Sequence, residues 1–111
     1  MKIEQRQVGT VDVFAPVGAL VEDDAQDFCR RLRQRMQLPN IRIVLSFEEV
    51  PYVDSVALEG LLQAAADMGE RGSELKLAGV TPTCREILEL TGLSNHFRLF
   101  GGLQDAVRSF L

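Results

Sequence analysis

The chain has 111 residues, with 12 basic and 16 acidic side chains and a net charge of −4 at neutral pH. That length fits one domain, 1–111, and 46% hydrophobic with 25% charged residues excludes a disordered or collagenous chain. The acidic balance lacks the basic stripe of a nucleic-acid binder; no apolar run reaches bilayer length and no signal-peptide pattern opens the chain. A soluble, cytoplasmic domain without membrane insertion or direct nucleic-acid contact is expected.

Two β-like runs come first, residues 3–7 and 10–17, with Gly9 between them suited to a hairpin turn. In the second, Val11, Val13 and Ala15 alternate with Asp12 and Phe14, the period of a partly buried strand, and Pro16 weakens its end. Beyond Gly18 the period changes. Ala25, Phe28, Cys29, Leu32 and Met36 mark one face of an amphipathic helix, with acidic residues at its start and four arginines in its second half, matching the helix dipole. Pro39-Asn40 ends it. Residues 41–47 then carry Ile41, Ile43, Leu45 and Phe47 on one face and Val44 on the other, the pattern of a strand covered on both sides.

A second helix is expected over 55–68, with Leu58, Leu61, Leu62 and Ala65 inward and Gly69 or Gly72 as its stop. A strand at 75–80 follows. Thr81-Pro82 then starts a helix with Cys84, Ile87, Leu88 and Thr91 on its inner face, closed by Gly92. A short strand at 97–100, the Gly101-Gly102 turn and a helix at 103–110 complete the order β-β-α-β-α-β-α-β-α. Strands alternating with helices imply an α/β fold: one compact domain, a mixed, mostly parallel sheet with an N-terminal hairpin and about four helices.

The chemistry of most enzymes is hard to assemble from these residues. Cys29 and Cys84 are too far apart for a CxxC motif and fall on apolar helix phases, as small buried hydrophobes do. His96 is the only histidine, which leaves a metal site or a Ser-His-Asp arrangement without partners. No nucleophile elbow or lysine-bearing glycine loop is present. The informative stretch is Val50 to Leu58, where a loop leaves a central strand and a helix begins at Asp54-Ser55. Both residues suit helix capping, and a helix start also favours an anion, including a phosphate carried on the chain's own hydroxyl.

The segment Val53-Asp54-Ser55-Val56-Ala57-Leu58, with Leu61-Leu62, resembles the signature of the STAS domain, the family of bacterial anti-sigma factor antagonists. Supporting matches are Val17-Gly18-Ala19-Leu20, Leu75-Lys76-Leu77-Ala78-Gly79-Val80, Glu89-Leu90-Thr91-Gly92-Leu93, and Phe97-Arg98-Leu99-Phe100 through Asp105-Ala106-Val107, all in the family's order. The resemblance implies a non-enzymatic binding module that needs no cofactor or metal and works in a partner-switching system. Its partners are then an anti-sigma factor that is a serine kinase of the histidine-kinase-like ATPase type, and a PP2C-type phosphatase. Ser55 becomes the phosphorylation site, Asp54 its orienting neighbour, and Leu20, Glu22, Asp23, Tyr52, Val53, Val56 and Ala57 the partner surface. The alternative role within the family is a permanent subunit of a lipid-transport ABC ATPase or of a stress-sensing scaffold. The sequence departs from the pattern where Val56 replaces a second hydroxyl, Ala57 a glycine and Val21 an aspartate.

Overall fold

The computed structural model describes all residues, Met1–Leu111. β1 (Lys2–Val8) and β2 (Val11–Val17) form the expected antiparallel hairpin, turned by Gly9, at φ 63°, and Thr10. There follow α1 (Glu22–Met36), β3 (Ile43–Ser46), α2 (Ser55–Glu70), β4 (Lys76–Ala78), α3 (Pro82–Leu90), β5 (Arg98–Phe100) and α4 (Leu103–Arg108). The strands lie side by side in chain order, and every pairing after the hairpin is parallel. A 3-10 turn at Ser94–His96, absent from the sequence expectation, holds His96 exposed.

Helices α1, α2 and α3 cover one face of the sheet. Phe14, Leu45 and Leu77 from the strands meet Phe28 and Leu32 of α1, Leu61 of α2 and Leu88 of α3 in one continuous core. The six-residue α4 sits on the other face, where Val11, Val44 and Ala78 pack on Ala106. β3 is therefore buried on both sides, which is why its residues are apolar almost without a break. Burial on β2 likewise extends to both faces: Val11, Asp12, Val13 and Phe14 are all buried. Asp12 sits beside the core because Arg35 holds it through two hydrogen bonds of 2.9 and 3.2 Å and Gln7 adds a third at 3.0 Å. Burial pushes its carboxyl up, but these donors and the guanidinium charge outweigh it and leave the group below its usual range.

Two helix faces differ from expectation. In α2 the inward stripe is Ala57, Leu61, Ala64 and Met68, while Leu58, Leu62 and Ala65 are only partly buried along its flanks. Small residues point inward because α2 lies close to its neighbours: a Cβ on Gly60 would overlap the Cys29 sulfur of α1. In α3 the inner face ends at Leu88; Thr91 lies exposed beyond it, its hydroxyl donating to the Ile87 carbonyl at 2.7 Å. Across the sheet, the buried Lys76 secures the end of α4. Its ammonium donates to Ser109 Oγ at 2.8 Å and stands 3.5 Å over the Phe110 ring, and burial lowers its pKa. No helix is long and apolar enough to cross a membrane.

Candidate functional site

Two loops leave the carboxyl ends of β2 and β3 and run together before α1 and α2 begin. Gly18 N–H donates to the Glu49 carbonyl at 2.9 Å, Leu20 N–H to Tyr52 at 2.9 Å, and Asp54 N–H to Leu20 at 3.1 Å. Leu20 and Val53 thus form a parallel bridge, a short extension of the sheet toward the helix starts. Their side chains, 0% and 3% exposed, anchor this ridge to the core.

Asp54 joins the two helices. Its Oδ1 accepts from Ala57 N–H at 3.0 Å, the ordinary capping bond of α2, and its Oδ2 accepts from Glu22 N–H at 2.8 Å, at the first residue of α1. α1 has no side-chain cap of its own; Val21 occupies that position. One carboxylate therefore faces the positive ends of both helix dipoles. The Ala57 and Glu22 amides hold its pKa below the usual carboxylate range. Glu22 stands at φ 48°, a left-handed conformation unfavourable for a residue with a side chain, and its bond to Asp54 helps fix it there. The link joins residues 32 positions apart.

Because Asp54 carries the cap, Ser55 is released from it. Ser55 is the first residue of α2 and is exposed. This corrects the expectation that its hydroxyl takes part in capping. The bonds from Glu22 to Asp54 and from Leu20 to Tyr52 bring the start of α1 beside the first turn of α2, so exposed Glu22 and Asp23, Tyr52 at 48% exposure and partly buried Val56 belong to the same end of the molecule.

The expected partner surface divides accordingly. Leu20, Val53 and Ala57 are buried and shape the ridge from beneath, so their side chains are not available to a docking protein. Glu22, Asp23, Tyr52 and Val56 remain, together with Ser55. Ala57, where the family pattern has glycine, turns its methyl into the core at 0% exposure, so it does not widen the outer surface of the first turn. Glu48 and Glu49 are exposed on the approach and make this end of the molecule acidic.

A family model described as the STAS domain matches residues 2–106. Among curated proteins, none matches the chain in sequence. Among solved structures, TM1081 of Thermotoga maritima is 18% identical with a TM-score of 0.87, over 96% of this chain and 92% of its own. The anti-sigma factor antagonist SpoIIAA, unphosphorylated, is 16% identical with a TM-score of 0.81 over 98% and 96%. Its phosphorylated form from Bacillus is 15% identical with a TM-score of 0.75 over 99% and 100%. A sulfate transporter family protein of Wolinella succinogenes shares the fold as well, at 18% identity and a TM-score of 0.76 over 92% and 85%. These likenesses are of fold, whereas the family model spans the sequence almost from end to end, and the chain belongs to the STAS domain family.

Proposed function

We propose that this chain is an anti-sigma factor antagonist of a partner-switching system in the bacterial cytoplasm, a binding module rather than an enzyme. Its unmodified form binds an anti-sigma factor that is also a serine kinase of the histidine-kinase-like ATPase type. Phosphorylation of Ser55 releases that partner, and a PP2C-type phosphatase resets the chain. The observation that carries this reading is the exposed Ser55 on the first turn of α2, freed from capping by Asp54 and at the same end of the molecule as Tyr52, Glu22 and Asp23. The likeness to a protein solved in both unphosphorylated and phosphorylated forms supports it.

The physics of the switch follows from the site. A phosphate adds about −1.5 to −2 charges at neutral pH. The start of α2 tolerates it on the exposed Ser55 side chain, where the helix dipole favours an anion and solvent screens its repulsion from the Asp54 carboxylate. A partner seated over Ser55 instead meets a strongly hydrated group at the end of the molecule that carries Glu22 and Asp23. A penalty of about 3 kcal/mol for that desolvation weakens binding more than a hundredfold. The fold persists and the interface is lost.

The test is incubation with the kinase and ATP, followed by mass spectrometry and a binding measurement. Phosphate on Ser55 with loss of kinase binding supports the proposal. Stable copurification with a transport ATPase and no phosphorylation assigns the chain to the permanent-subunit role. Labelling of Ser55 by a serine-directed acylating probe points to nucleophilic chemistry instead.

A further inference from the structure

β1 is a seven-residue strand at the edge of the sheet, and all its residues except Ile3 are exposed. Which of its backbone groups face outward follows from the hairpin. A two-residue turn makes Val8 and Val11 a mutually hydrogen-bonded pair, and the pattern then alternates along the antiparallel ladder. Lys2, Glu4, Arg6 and Val8 therefore bond inward to β2, while Ile3, Gln5 and Gln7 turn their N–H and C=O groups to the free edge. Two observations agree with this assignment. Pro16, which has no N–H to give, stands opposite Ile3, and Asp12, opposite Gln7, donates its N–H away from β1 to the Arg42 carbonyl at 2.7 Å.

An edge that is charged in this way ordinarily discourages pairing. Here the charges complement a second copy of the same strand best in one register. A two-fold axis at Ile3 also sets Lys2, already 3.7 Å from Glu4 within the strand, against Glu4 of the other copy but pairs only residues 1–5, whereas an axis at Gln5 pairs the whole strand. Two copies related by a two-fold axis at Gln5 set Ile3 against Gln7 and Gln5 against Gln5 as hydrogen-bonded pairs. Glu4 then lies opposite Arg6 twice, in the close non-hydrogen-bonded positions where side chains interact most. Shifting the axis to Glu4 sets that glutamate against itself and Lys2 against Arg6. Shifting it to Arg6 sets two arginines together and leaves Glu4 opposite Val8. We infer that β1 is a self-recognition edge through which two copies of this chain join antiparallel, Glu4 facing Arg6, into a continuous ten-stranded sheet. About six interchain backbone hydrogen bonds form. One strand pair buries less than the area of about 1,200 Å² typical of stable interfaces, so the dimer is reversible and depends on concentration.

The experiment is sedimentation equilibrium over a concentration series on the wild type, Glu4→Arg, Arg6→Glu and the double exchange Glu4→Arg/Arg6→Glu, with circular dichroism to verify that each is folded. The wild type is expected to self-associate. Either single reversal places like charges opposite one another and weakens association about tenfold or more, and the double exchange restores it. Register is read separately by mild oxidation. Gln5→Cys gives a covalent dimer, because positions directly opposite are about 5.5 Å apart between Cα atoms, whereas Gln7→Cys does not unless mixed with Ile3→Cys. The native Cys29 and Cys84 are buried and do not compete. A chain that stays monomeric throughout, a dimer indifferent to the charge reversals, or cross-linking at position 7 as fast as at position 5 overturns the inference.

Discussion

Replacing Leu61 by alanine tests how α2 is turned, and with it where Ser55 points. Successive helix residues turn by about 100°. The inward stripe of Ala57, Leu61, Ala64 and Met68 places Ser55 about 150° from its centre, facing away from the core. A stripe of Leu58, Leu61, Leu62 and Ala65 would leave it only about 70° away, half turned into the body of the protein. Leu61 is 1% exposed, whereas Leu62 is only partly buried. Leu61→Ala removes three buried carbons and leaves a cavity, a loss of about 3 kcal/mol within the usual range for such sites. Unfolding entropy for a chain of this length is about 0.23 kcal/mol/K, so Tm falls by about 13 °C. Leu62→Ala forfeits only part of its burial, about 1 kcal/mol and about 4 °C. Thermal melts by circular dichroism, with urea titrations confirming an unchanged m-value, distinguish the two. Equal losses, or a larger loss at Leu62, would refute the orientation of α2 and the outward placement of Ser55.

Ser55→Ala is expected to change stability by no more than about 0.5 kcal/mol and to abolish phosphorylation, read by melting and by mass spectrometry. Ser55→Asp leaves Tm within a few degrees of wild type and weakens kinase binding, as titration calorimetry would report; undiminished affinity defeats the charge gate. Asp12 and Asp54 both have folded pKa values held below their unfolded ones. Their stabilising contribution is therefore complete above the unfolded value and is lost as pH falls through the folded one. The urea midpoint of the wild type should drop more steeply than that of Asp12→Asn/Asp54→Asn between about pH 5 and pH 2. Arg35→Ala leaves the buried Asp12 carboxylate without its cation; it should destabilise more than Arg30→Ala, whose partner Asp27 is more exposed.

The order of elements was legible because each announces itself locally. The hairpin glycine, the Thr81-Pro82 start of α3 and the change of apolar period after Gly18 all survive in the folded chain. The phase of α2 was not, because counting large apolar residues favours Leu58, Leu61 and Leu62. What governs a helix pressed close to its neighbours is the small side, and Ala57, Gly60 and Ala64 carry little hydrophobic signal. The candidate site divides in the same way. The position of Ser55 follows from the helix start, but its freedom from capping depends on how Asp54 uses its two oxygens. The bond to Glu22 spans 32 positions, and no local pattern encodes it. The burial of Leu20 and Val53 likewise arises from a pairing between loops that are distant in sequence.

That pairing has a consequence for anyone hoping to transplant the serine segment. The residues from Val53 to Leu58 look like a portable cassette, yet half of their scaffolding is supplied by residues 18–22. A graft carrying only the serine segment would arrive without the strand that props it up and without the amide that occupies the second oxygen of Asp54. Portability requires both loops together, and engineering of either one is felt by the other.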